Sequence, residues 1–116
     1  MTERNRGDRR KGPVLAMLAG FALATLAGCG GESSPEEDGR QVYVRNCASC
    51  HNVDPTRAGV LGPEIAGSSR ELIEARVMRA EYPPGYTPKR DTRQMAPLPH
   101  LKEWIPALTA YLNATP

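Results

Sequence analysis

Three side chains capable of chemistry stand together in Cys47-Ala48-Ser49-Cys50-His51. Two thiols separated by two residues, with an imidazole directly after, is the spacing that attaches a c-type haem. The sulfurs add to two vinyl groups on one porphyrin edge, and the chain then brings His51 beneath the ring to bind the iron. Two other chemistries use the same residues. Cys47 and Cys50 could form a redox thiol pair, or join His51 and His100 as the four ligands of a tetrahedral zinc. Adjacent Cys50 and His51 are awkward on one tetrahedral ion, and thiol exchange leaves His51 without a role. The motif therefore predicts one covalently attached haem c and its iron.

An iron held by His51 on one face takes a second ligand or stays open to small molecules. Met78, Met95 and His100 are the remaining candidates once the leader described below is set aside. Met78 falls on the apolar face of an expected helix, where methionine usually fills core space. Met95 lies in a proline-flanked extended stretch that can present a thioether to a fixed point. It is favoured, with His100 as its nearest competitor. His/Met ligation raises the reduction potential and fills the coordination sphere, which suits electron transfer.

Several parts of the chain must position and deliver these groups. Residues 1–13 carry five basic side chains, and Val14–Ala27 then runs 14 residues without a charge. That is short for a membrane-spanning helix and has the length and flanks of a secretory signal. Leu26-Ala27-Gly28-Cys29 resembles the lipobox of bacterial lipoproteins, which implies cleavage before Cys29 and lipid on its thiol. The expected organisation is a signal peptide over 1–28, a flexible tether over 29–38 and a single domain over 39–116. The net charge of +2 comes from 15 basic and 13 acidic residues, of which the leader holds 5 and 2. The remainder is close to neutral, so the basic pI is no evidence for nucleic-acid binding. With Cys29 assigned to lipid and Cys47 and Cys50 to haem, none of the 3 cysteines is left for a disulfide.

Gly30 to Asp38 is polar and acidic and reads as a linker spanning on the order of 15–18 Å. A helix is expected from about Glu36 to Cys47, with Pro35 at its first turn and Glu36, Glu37 and Asp38 favoured by the dipole. Gly39 costs such a helix about 1 kcal/mol, so it needs a reason, and close approach of another helix is one. Asn52 to Gly67 reads as a loop. Ser68-Ser69 looks like a cap for a helix from Ser69 or Arg70 to about Glu81, with Leu72, Ile73, Val77 and Met78 on its apolar face. The Tyr82–Pro88 stretch ends it, and Met95 to Pro99 is expected to be extended. A last helix lies within Lys102 to Asn113. Pro106 belongs in its first turn, which places the regular start near Glu103. No stretch reads convincingly as a strand, so the fold class is all-α. A domain this small often needs help to be stable, and a bound porphyrin would be an apolar centre for its helices.

From about Gly39 to Leu112 the chain resembles a class I, monohaem cytochrome c. The resemblance rests on Gly39 and Tyr43, the Cys47–His51 motif, Leu61-Gly62-Pro63 with Ile65 and Gly67, Met95-Ala96-Pro97-Leu98-Pro99, and Leu108 with Tyr111-Leu112. It implies a small fold in which the first and last helices cross, with Gly39 at the crossing and Tyr43, Leu108 and Tyr111 around it. It also implies that the Pro63 carbonyl accepts a hydrogen bond from the proximal imidazole, holding the ring and raising its basicity. Met95-Ala96-Pro97 departs from the family's usual Met-Pro-Pro, and the last helix lacks a polar cap. The Tyr82–Pro88 loop lies outside the family pattern. Tyr82, Tyr86 and Trp104 are candidates to reach a haem propionate, or simply to cover the porphyrin edge.

These readings converge on a membrane-tethered carrier of single electrons on the extracytoplasmic side of a bacterial envelope. Its expected partners are a redox donor, a redox acceptor and the membrane reached through lipid, with no nucleic acid, no small-molecule substrate and no catalytic residue. A haem peroxidase or gas binder with a labile sixth ligand is the competing enzyme class, and a haem subunit of a larger oxidoreductase is a variant of the leading reading.

Overall fold

The computed structural model of the chain describes residues 30–114. The expected signal peptide and the expected lipid site, Cys29, lie outside these residues. Residues 31–114 belong to one compact unit. Among the described residues there are four α-helices, one 3₁₀ helix and no strand, in agreement with an all-α class. None of those helices is long and apolar enough to cross a membrane.

Helix α1 spans Pro35–Asn46. Ser34 stays extended and its hydroxyl accepts from the Glu37 N–H at 3.2 Å, satisfying one of the helix's free donors. Pro35, which has no N–H to waste, takes the first helical position. Arg40 grips the Glu37 carboxylate with two nitrogens at 2.9 and 2.8 Å. The buried face carries Gly39 and Tyr43. A four-residue turn, α2 (Ala48–His51), follows with Cys47 at the joint and ends at Asn52, whose φ of 79° reverses the chain.

Helix α3 spans Arg70–Arg79. Ser69 caps it through Leu72 N–H at 3.2 Å, and Ile73, Ala75 and Val77 face the core. It stops two residues before the expected Glu81. Ala80 takes a left-handed conformation, φ 55°, with its N–H turned back onto the Ala75 and Arg76 carbonyls. Alanine is a poor residue for that geometry. The Arg76 guanidinium bonds to the Ala80 carbonyl and so helps hold the turn.

The C-terminal segment differs from expectation in a specific way. Pro99–Trp104 is a 3₁₀ helix that runs directly into α4 (Ile105–Ala114). Pro99 is therefore the first residue of a helix and not the end of an extended stretch, and the regular α-helix starts at Ile105 instead of near Glu103. Pro106 sits in the first turn as expected. A polar cap is unnecessary because the preceding 3₁₀ turns continue into the helix, the Ile105 N–H bonding to the Lys102 carbonyl.

Helices α1 and α4 make the most extensive packing in the fold. A Cβ on Gly39 would overlap the Ala107 carbonyl oxygen and lie 2.7 Å from Tyr111 Cβ. This is the close approach for which the glycine is needed. Beside it the Tyr43 and Tyr111 rings lie 5.4 Å apart, inclined at 49°, a favourable tilted pair. Tyr43, Ile73, Val77, Leu101, Ile105, Leu108 and Leu112 form the buried cluster. Gly67 N–H bonds to Leu112 O at 2.8 Å, and Asn113 Nδ2 to Ser68 O at 3.0 Å. These two bonds tie the loop before α3 to the end of α4.

Candidate functional site

The Cys47–His51 motif is built by a helix end, a turn and a returning loop. Cys47 N–H still bonds to Tyr43 O at 2.8 Å, and Cys50 and His51 N–H groups bond to Cys47 O at 3.1 and 2.9 Å. The turn thus keeps the three reactive side chains on one short, hydrogen-bonded coil. Tyr43 supports it from the core. Its side chain is fully buried and its hydroxyl donates to Asn52 O at 2.6 Å. Burial raises the pKa of that phenol, so it remains a donor throughout the physiological range.

Residues 59–63 fold back over the coil. Gly62 and Leu61 N–H groups both bond to Cys50 O, at 2.9 and 3.3 Å, and Gly59 N–H bonds to Gly62 O at 2.9 Å. A Cβ on Gly62 would lie 2.5 Å from both Cε1 and Nδ1 of His51. The glycine backbone therefore lies against the imidazole, and no other residue leaves that space free. His51 Nδ1 is 2.8 Å from the Pro63 carbonyl oxygen. A carbonyl only accepts, so Nδ1 carries the proton and the Nε2 lone pair is left for a metal.

His51, Cys47, Cys50, Pro63 and Met95 all line one cavity of about 320 Å³. Its walls are mainly apolar, with Leu61, Ile65, Leu72, Val77, Leu98 and Leu108 among them. Met95 is half-buried against the core cluster. The other two candidate ligands are elsewhere: His100 is exposed on the 3₁₀ helix, Met78 packs on the core, and neither lines the cavity. Among the described residues no three of His, Cys, Asp and Glu gather as a metal cluster, so His100 does not complete a zinc set with Cys47, Cys50 and His51. Burial, with a smaller contribution from Cys50, pushes the Cys47 thiol up to about 11. Thiol exchange needs the opposite shift.

The Tyr82–Pro88 loop forms part of the cavity wall through Tyr82 and Tyr86, whose rings stack 5.4 Å apart at 9°. Arg76 lies over Tyr82, 4.2 Å from its centroid, and no carboxylate among the described residues pairs with it. Trp104 does not line the cavity. Sequence reasoning missed Arg76 because a cation inside an amphipathic helix reads as a solvated surface residue. It also missed the contact between Gly62 and His51, for which spacing carries no signal.

The residues present fit a porphyrin. An apolar cavity of ligand size holds two unpaired thiols and one imidazole with a fixed tautomer. Bound there, haem c supplies a one-electron ferrous–ferric couple. The residues of the chain hold it, orient its ligand and keep water from it.

The sequence matches the model of the family described as Cytochrome c over residues 36–115. No curated protein is matched by the chain. The match covers more than half of the sequence, and the chain belongs to the cytochrome c family. It is a haem-binding electron-transfer protein that carries haem c covalently.

Proposed function

We propose that the chain is a membrane-tethered, monohaem carrier of single electrons. Cys47 and Cys50 hold the porphyrin as thioethers, His51 and Met95 ligate the iron, and the Pro63 carbonyl fixes the His51 ring. The observation that carries this reading is the convergence of the Cys47–His51 coil, Pro63 and Met95 on one apolar cavity. With His51 and Met95 both holding the iron, small molecules would be kept from the metal, which favours a carrier over a peroxidase or gas binder. Arg76, together with the hydroxyls of Tyr82 and Tyr86, offers positive charge and donors to the porphyrin carboxylates. Val60 is 90 % exposed and Leu61 43 %. Leu61 is also part of the cavity wall, so this pair gives redox partners an apolar surface beside the haem. The domain works free-standing or as a haem subunit of a larger oxidoreductase, on the extracytoplasmic side of the envelope.

The test is a redox titration followed by absorption, paired with haem staining after denaturing electrophoresis. Wild-type protein retains stain through denaturation, because thioether bonds survive it. Its ferric form shows the weak red band of a thioether–iron bond. In Met95→His that band is lost and the midpoint potential falls by a sizeable part of the roughly 0.8 V range that axial ligands control. A wild-type ferric spectrum of a five-coordinate iron would overturn the carrier reading in favour of the enzyme.

The tether rests on the leader and on Cys29. Cys29→Ser is expected to move the haem protein from the detergent-extracted membrane fraction to the soluble envelope fraction. Wild-type protein found soluble without detergent or proteolysis contradicts lipid anchoring.

A further inference from the structure

The segment that carries Met95 is hydrogen-bonded at its two ends, and between them Met95 packs against the core cluster. Downstream, Leu98 N–H bonds to Val77 O of α3 at 2.6 Å. Upstream, two adjacent cations reach across to the loop that folds over the Cys47–His51 coil. Lys89 Nζ donates to the Glu64 carbonyl at 2.9 Å and meets its carboxylate at 3.1 Å. Arg90 donates to the Gly59 carbonyl at 3.2 Å and to the Val60 carbonyl at 3.4 Å. From Asp91 to Pro97 no residue makes a hydrogen bond or ion pair among the described residues. A seven-residue span without bonds of its own takes its path from its anchors.

We propose that Lys89 and Arg90 are positioning residues for Met95. They fasten the upstream end of the thioether-bearing segment to the same loop that orients His51. This rests on the reading of Met95 as the second iron ligand. The clasp joins the two halves of the ligand set through one piece of backbone. Residues 59–64 receive Lys89 and Arg90, bond to Cys50 O through Gly62, and accept from His51 through Pro63. Without the clasp, the next upstream attachment is the stack of Tyr86 on Tyr82, whose ring also meets Arg76, and the span without hydrogen bonds grows to residues 87–97.

The backbone carbonyls matter more here than the ion pair. Lys89 and Glu64 side chains are 42 % and 44 % exposed, so their charge attraction is screened and weak. The Glu64 carboxyl is held below the usual carboxylate range first by its own backbone N–H and then by Lys89. Charge-assisted bonds to carbonyls depend less on the Glu64 side chain. Glu64→Gln therefore leaves most of the clasp in place, whereas Lys89→Ala/Arg90→Ala removes it.

The experiment follows displacement of the thioether from ferric holoprotein by imidazole, read as loss of the red band in stopped flow. At saturating imidazole the rate reports departure of Met95. The double variant is expected to react roughly tenfold faster, as suits the loss of charged hydrogen bonds, with far-ultraviolet circular dichroism unchanged. Arg90→Lys recovers part of the difference. Glu64→Gln stays within about twofold of wild type because the carbonyl acceptors remain, as does Arg93→Ala, an exposed cation of the same segment with no bonded partner among the described residues. An unchanged rate in the double variant, or an equal acceleration in Arg93→Ala, overturns the proposal while leaving Met95 ligation intact. A double variant that accumulates no folded holoprotein also overturns it, since a local clasp leaves the core standing. Absence of the red band in wild type overturns the Met95 reading itself and takes the clasp with it.

Discussion

Gly39→Val is expected to abolish accumulation of folded holoprotein, and Gly39→Ala to lower its melting temperature by roughly 4–16 °C. The effect is steric and originates in the backbone. A Cβ at position 39 overlaps the Ala107 carbonyl oxygen and comes to 2.7 Å from Tyr111 Cβ. Neither neighbour is the movable end of a long side chain, so the helices themselves must separate. Separation opens the Tyr43–Tyr111 pair and loosens Leu108 and Leu112, which are 1 % and 2 % exposed. Alanine recovers about 1 kcal/mol of helix propensity over glycine. Overpacking a well-filled contact costs about 1–3 kcal/mol, more when backbone must move, so the net effect is destabilising. Domains of this size have on the order of 4–12 kcal/mol in all, and the bulkier, β-branched valine uses up much of that. Thermal unfolding followed at 222 nm measures the effect, with Gly31→Ala as control because nothing lies within 4 Å of its Cβ. A Gly39→Ala protein melting at or above the wild-type temperature would show that the helices do not meet at this point.

What could be read in advance follows how local the determinants are. Helix α1 was legible because Pro35, three acidic residues and the spacing of Val42, Tyr43 and Asn46 all lie within it. The start of α3 was legible because Ser69 is its own signal. Gly39 was legible by contradiction: a residue unfavourable to its own helix implies a neighbour at that point. The 3₁₀ helix was not, because Pro97 and Pro99 each argue locally for extended chain, whereas Pro99 begins a helix whose Leu101 is buried in the core. Ala80 gave no warning of the stop in α3, since alanine favours continuing. Its turn is held by bonds to Ala75, Arg76 and the Arg76 side chain.

The site divides in the same way. Cys47, Cys50 and His51 were legible as a contiguous motif, and Met95 could be chosen over Met78 by its helical context. His100 stays its nearest competitor in the sequence; in the structure Met95 lines the cavity and His100 does not. The role of residues 59–64 was invisible to spacing. Lys89 lies 25 residues from its acceptor, and Arg90 lies 30 and 31 from its two. In the sequence both belong to an undistinguished charged loop. One short loop thus serves the imidazole, the cysteine coil and the methionine segment together. Periodicity reports which face of an element is buried. It is silent on which carbonyls an irregular segment turns inward.

That dependence on one loop makes Gly62→Ala the second large effect. The added methyl carbon would stand 2.5 Å from Cε1 and Nδ1 of His51 and 2.9 Å from Cγ, against ordinary carbon contacts of about 3.5–4.0 Å. Either the ring or the loop must shift by about an ångström. The loop is restrained by two N–H bonds to Cys50 O, and the ring by its bond to Pro63 O, so whichever moves, the imidazole–carbonyl bond lengthens or breaks. A destabilisation of about 1–3 kcal/mol follows from the overlap alone. For a domain of this size that is a melting temperature lower by roughly 4–24 °C. The potential carries the diagnostic part. With His51 on the iron as proposed, the carbonyl at Nδ1 makes the imidazole a stronger donor, which favours ferric iron, so weakening that bond is expected to raise the midpoint potential. A substitution that only loosened the fold would lower stability without a consistent change in potential. Redox titration and thermal melting of the same holoprotein separate the two cases. A Gly62→Ala protein with wild-type potential and wild-type melting temperature would mean that the 59–63 backbone does not lie against His51.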